Sequence, residues 1–150
     1  MKKLNTIVAA IGDRLQCLVL LIIRLYFGWQ FFLFGKGKLL NLDRTAGFFA
    51  SLNLPVPHAT AAFVGLVEAG GGLLLLLGLG ARLAAIPLII TMIMAYITAD
   101  RPALHAIFSN PDKFTSATPF LFLAAALIVF VFGPGKISID ALMGKTSGSK

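Results

Sequence analysis

One cysteine, two histidines and six acidic residues in a chain of 150 leave little from which a metal or redox centre could be built. A lone thiol, Cys17, excludes an internal disulfide, a Cys-x-x-Cys pair and any cysteine-ligated zinc or iron–sulfur site within one chain. The histidines, His58 and His105, both fall between apolar runs, where they cannot give axial ligands to a haem held among helices. No metal and no covalently bound cofactor is expected. Charge is scarce as well: 13% of the residues are Asp, Glu, Lys or Arg, about half the share found in soluble domains.

Apolar residues take up the difference, at 58% of the chain with 13 phenylalanines. That is more than a water-soluble core of this length can hide. Four apolar runs, 15–34, 59–79, 83–99 and 117–132, each lie near the roughly 17 to 25 residues that cross a bilayer. Within hydrocarbon each must satisfy its own backbone, so each is a helix. The expected fold is an all-α integral membrane bundle of four transmembrane helices, forming one domain over 1–142, with a disordered polar tail at 143–150. Only Gly78 to Arg82 separates the second and third runs, which makes them antiparallel neighbours. Between the first and second, 46–52 has the composition of a short interfacial helix, stopped by Pro55-Val56-Pro57. Asp13 and Arg14 break what would otherwise pass for a secretory leader, so the first helix is expected to be retained.

The net charge of +7 is scattered between the apolar runs and forms no stripe, which argues for a membrane-flanking role and against nucleic acid. Lys2, Lys3, Arg14, Arg82, Lys136, Lys145 and Lys150 fall on one side of the expected bundle, and Lys36, Lys38, Arg44, Arg101 and Lys113 on the other. The excess places both termini in the cytoplasm.

Two ionisable residues lie deep in apolar runs, Arg24 in the first and Glu68 in the second. At the centre of a helix in lipid such groups cost about 2.5 to 3.5 kcal/mol, so both should face inward. With level helices rising 1.5 Å per residue, Arg24 stands about 10 to 14 Å and Glu68 about 15 Å from the cytoplasmic edge, near enough to form one polar centre. Such a centre is either an ion pair that fixes helix register or a polar site that handles protons or a ligand. Gly65 and Gly70 to Gly72 place small residues around Glu68, for close helix packing or for a groove that admits a flat ring. Gly28, Gln30, Lys36 and Lys38 belong to an aromatic and glycine-rich segment fitting either an interfacial belt or a quinone or lipid headgroup site. Gly35-Lys36-Gly37 is too short for a phosphate loop. Gly72, Arg82 and Tyr96 complete the candidate ligand contacts.

Arg24-Leu25, Gly28, Phe31 and 35–39 resemble the opening signature of the DoxX family of small bacterial inner-membrane proteins. The segment 48–57, the stretch from Val67-Glu68 to Arg82, and the C-terminal 133–140 resemble later elements of that family in the same order. One departure is Phe34, where many relatives have histidine. The resemblance implies a membrane subunit beside quinone-linked or redox-defence enzymes, specifying a fold rather than a reaction. It gives the leading expectation of an accessory or quinone-interacting subunit of an oxidoreductase system in the bacterial inner membrane. The quinone would be bound non-covalently, and a redox partner protein would supply flavin, metal or thiols. The alternatives are an assembly factor, a membrane anchor, or a solute or proton carrier. The last predicts a homo-oligomer with the small-residue face of the second helix at its seam.

Overall fold

The computed structural model describes residues 2–147, which are all-helical with no strand. The helices are α1 (Lys2–Leu40), α2 (Leu42–Ser51), α3 (Pro57–Leu77), α4 (Ala81–Thr98), α5 (Arg101–His105), α6 (Pro111–Thr115), α7 (Thr118–Phe132) and α8 (Ile139–Ser147). Proline marks the first turn of α3, α5, α6 and α7, where its missing N–H costs nothing because the helix has no partner for it. Gly78 and Gly80 close α3 and open α4 with φ of 67° and 55°, a left-handed conformation that only glycine adopts without strain.

Three segments are long and apolar enough to cross a membrane: Leu15–Leu40 within α1, then α3 and α4. The fourth apolar helix, α7, has 15 residues. Outward faces are as greasy as the interior, with Phe63, Leu66, Leu83, Leu121 and Val131 all more than half exposed. In water such surface would aggregate; in a bilayer it is the solvent-facing side. The chain is a membrane protein whose spans contact lipid.

Antiparallel α1 and α3 approach at glycine. Gly28 and Gly35 on α1, and Gly65 and Gly72 on α3, are each seven residues apart, two helical turns, so they meet in pairs. A methyl at Gly28 would lie 2.9 Å from the Gly72 oxygen, and one at Gly35 2.6 Å from the Gly65 oxygen. Both are closer than real carbon contacts allow. On the other side of α3, Leu88 of α4 fills the space at Gly71. Phe31, Leu75, Leu88 and Val129, one from each of the four apolar helices, are the largest fully buried side chains.

The structure departs from the sequence expectations in several places. α1 does not stop at residue 34; it runs through Gly35-Lys36-Gly37-Lys38 to Leu40. Residues 143–147 continue α8, where a disordered tail was expected, and 148–150 lie outside the described residues. The glycine face of α3 is filled by α1, so Gly65 and Gly72 are not available to a subunit seam.

Candidate functional site

Arg24 and Glu68 are both buried, at 3% exposure each, but they do not meet. The glycine pairs set a register in which Gly28 stands against Gly72 and Leu76, so Arg24, one turn earlier, stands at Gly78. Ten residues of α3 separate that level from Glu68, about 15 Å along the helix axis. The expected common centre is therefore two centres, because α1 is longer than its apolar run and is shifted along α3 relative to level packing.

The Arg24 centre is a clasp. Its guanidinium donates to the carbonyl of Pro134, and at 2.9 Å to the carbonyl of Ile137. These belong to the turn between α7 and α8, which has no helical ladder of its own to satisfy them. Ser138 stabilises the same turn by donating to the Gly135 carbonyl at 2.8 Å. Asp140 then accepts from the backbone N–H of Gly80 at 2.8 Å and of Ala81 at 3.3 Å, taking two free donors at the start of α4. Arg24 thus ties the C-terminal segment to the bundle.

The second centre is Glu68 with Lys38. The Lys38 ammonium lies 2.5 Å from Glu68 Oε2, with side-chain exposures of 27% and 5%. Lys38 reaches it because α1 stays helical: Phe31, Gly35 and Lys38, at spacings of four and three, share one face. The ammonium also sits 5.8 Å from the centre of the Phe34 ring.

Lys38 and Glu68 border a cavity of about 500 Å³ that opens between α1, α2, α3, α4 and the start of α7. Its walls are mainly aromatic and aliphatic, with Phe31 and Phe34 meeting Phe122 edge-on at 4.8 and 5.4 Å between ring centres. The hydroxyls of Thr60 and Thr91 on the wall donate to the carbonyls of Pro55 and Leu88. Asp100 lines the far side at the end of α4, and the buried ion pair is set against otherwise largely hydrocarbon walls, which is the make-up of a ligand pocket.

The remaining candidates separate. Gly28 and Gly72 are packing residues, filled by the opposing backbone. Gln30 is half-buried and Lys36 exposed, and neither lines the cavity. Tyr96 donates to the Phe114 carbonyl at 2.8 Å and stacks on the Phe114 ring, which ties α4 to α6. Arg82 lies at the opposite end, near the Arg24 clasp, where it donates to the Val131 carbonyl at 3.3 Å. Among the described residues no three His, Cys, Asp or Glu side chains gather as a metal ligand set. Phe122 and the partnership of Lys38 with Glu68 went unseen in the sequence, although the spacing of Phe31, Phe34 and Lys38 carried the signal for one helical face.

A family model described as DoxX matches residues 19–101, more than half of the chain. An uncharacterised membrane protein of Mycobacterium tuberculosis is 33% identical over 82% of this chain and 80% of its own length. The putative oxidoreductase CatD of Bacillus subtilis is 28% identical over 86% of this chain and 91% of its own. The inner membrane protein YphA of Escherichia coli is 28% identical over 81% and 88%. No solved structure matches. The match spans α1 through α4, the helices that hold the glycine seam and the Lys38–Glu68 pair, and the chain belongs to the DoxX family of membrane proteins.

Proposed function

We propose that this protein is a quinone-interacting accessory subunit of an oxidoreductase system in the bacterial inner membrane, with the quinone held beside Lys38 and Glu68. The observation that carries the proposal is the apolar cavity with a single ion pair on its wall. The residues suit a quinone ring: Phe34 and Phe122 offer apolar faces and edges, and the Lys38 ammonium has donors left for a carbonyl oxygen after it binds Glu68. Glu68 holds Lys38 in place and, with Asp100 at the end of α4, is one of two carboxylates on the chamber wall able to accept a proton. A bound quinone would supply electron-transfer chemistry that the chain's own side chains do not, and a partner protein would exchange those electrons. A relative named as a putative oxidoreductase, and another named as an inner membrane protein, support the setting.

In the same proposal α7, at 15 residues, makes the fourth crossing with the bilayer thinned around it and the aromatic residues near its ends anchored in the interfaces. The amphipathic α2 lies at the membrane surface over the mouth of the cavity, and both termini face the cytoplasm. The test is to extract the protein in mild detergent and identify its co-purified small molecules by mass spectrometry, comparing wild type with Glu68→Gln. The expected result is one quinone per chain in the wild type and depletion in the variant. Absence from both, with the variant folded, would sink the quinone role and favour an assembly factor or membrane anchor.

A further inference from the structure

The end of the bundle opposite the Lys38–Glu68 pair has a second opening. A cleft of about 450 Å³ lies where α1, the start of α4 and the turn from α7 to α8 converge, lined by Cys17, Leu20, Arg82, Phe132, Lys136 and the backbone of Gly133 to Gly135. Among the described residues, three basic side chains and one acidic one belong to this region, and their commitments differ. Arg24 donates from its two terminal nitrogens to the carbonyls of Pro134 and Ile137, with its Nε buried and unpartnered among the described residues. Asp140 is spent on the N–H groups of Gly80 and Ala81, so the start of α4 is already closed by a carboxylate. Arg82 and Lys136 are exposed, and among the described residues neither has a carboxylate partner. Arg82 makes one long hydrogen bond, 3.3 Å to the Val131 carbonyl, which leaves most of its five N–H donors free.

Two unpaired cations in a concave site attract an anion, and a guanidinium beside an ammonium suits a phosphate oxygen cluster. The surroundings narrow the choice. Phe132, more than half exposed at the C-terminal end of α7, gives the same cleft an apolar wall, with the buried Leu20 of α1 behind it. A free ion would leave that wall wet, whereas a phospholipid covers it with its acyl chains while its phosphate meets the cations. We propose that this cleft binds the phosphate group of an anionic phospholipid through Arg82 and Lys136. The proposal rests on neither the quinone nor the Lys38–Glu68 pair. Its consequence is that lipid composition acts on the Arg24 clasp, because the bound headgroup covers the turn that Arg24 holds.

Cys17 lines the cleft and is the protein's one thiol, so it reports occupancy directly. The experiment follows the rate of Cys17 modification by N-ethylmaleimide in phosphatidylcholine vesicles, in the same vesicles with phosphatidylglycerol, and in phosphatidylcholine with inorganic phosphate. Wild type is compared with Arg82→Gln/Lys136→Gln. Phosphatidylglycerol at ten times its dissociation constant should slow wild-type labelling about tenfold, since only the empty fraction reacts. The double variant should show little slowing. Equal slowing in both proteins would assign the effect to vesicle surface charge and overturn the proposal, as would no slowing in either. Protection by inorganic phosphate alone would overturn the lipid assignment. Both side chains are exposed, so the variant should fold; if it does not, Lys136→Gln alone carries the comparison.

Discussion

Replacing Lys38 by methionine tests the internal wiring of the cavity most severely. Methionine keeps the length and apolar stem of the side chain but leaves Glu68, 3% exposed, without the cation that faces it. Breaking one side of a buried ion pair typically costs about 3 to 5 kcal/mol. The reverse change, Glu68→Gln, should cost less, since the Lys38 side chain keeps 27% of its exposure and can turn its ammonium outward. Removing both charges, as Lys38→Met/Glu68→Leu, should restore most of the loss, because an apolar pair of similar volume is often as stable as the ion pair it replaces. Reversible unfolding in detergent or bicelles, run as a double-mutant cycle with Glu68→Leu as the other single variant, should give a coupling of about 2 to 3 kcal/mol. Additive single effects would refute the pairing. A strong coupling of Glu68 to Arg24 in its place would refute the register itself.

The glycine seam makes a graded prediction: Gly35→Ala and Gly72→Ala should each destabilise by about 1 to 3 kcal/mol or more, as overpacking does, since their methyl groups would run into opposing backbone. Gly70→Ala, with nothing within 4 Å, should be neutral or mildly stabilising in the same unfolding assay. Asp140→Ala removes the acceptor for two N–H groups at the start of α4 and should cost about 0.5 to 2 kcal/mol. Hydrogen exchange should localise the loss to Gly80, Ala81 and α8, with α1 and α3 unchanged.

Much of this architecture is legible in the sequence because lipid imposes a simple rule: an apolar run must be a helix, and a charge within it must face inward. The apolar helices α3, α4 and α7 follow from hydropathy within two residues at each end. Arg24 and Glu68 stand out as the buried charges for the same reason. Their partners do not follow. Gly35-Lys36-Gly37-Lys38 has the composition of a helix end in water, yet here glycine packs against α3 and the helix continues past it. Shortening α1 in this way sets the register wrong and brings Arg24 to Glu68 on paper. The return of residues 133–140 to Arg24 and Gly80 leaves no trace in periodicity, because it is made through backbone carbonyls and one cap. The aromatic cavity has a similar origin. Phe31 and Phe34 are visible as an aromatic cluster, but Phe122 joins them only once α7 has packed beside α1.

The proposed quinone role requires the chamber beside Lys38 and Glu68 to receive a flat, carbonyl-bearing ring, and photolabelling locates where such a ring binds. A light-activated quinone analogue is added to the protein in native-composition membranes, and the labelled peptides are mapped by mass spectrometry. Labelling should be concentrated in 31–38, 63–68 and 118–122, competed by unlabelled quinone and abolished by Lys38→Met/Glu68→Leu. Labelling spread evenly along the lipid-facing surface, or unchanged in that variant, would contradict it.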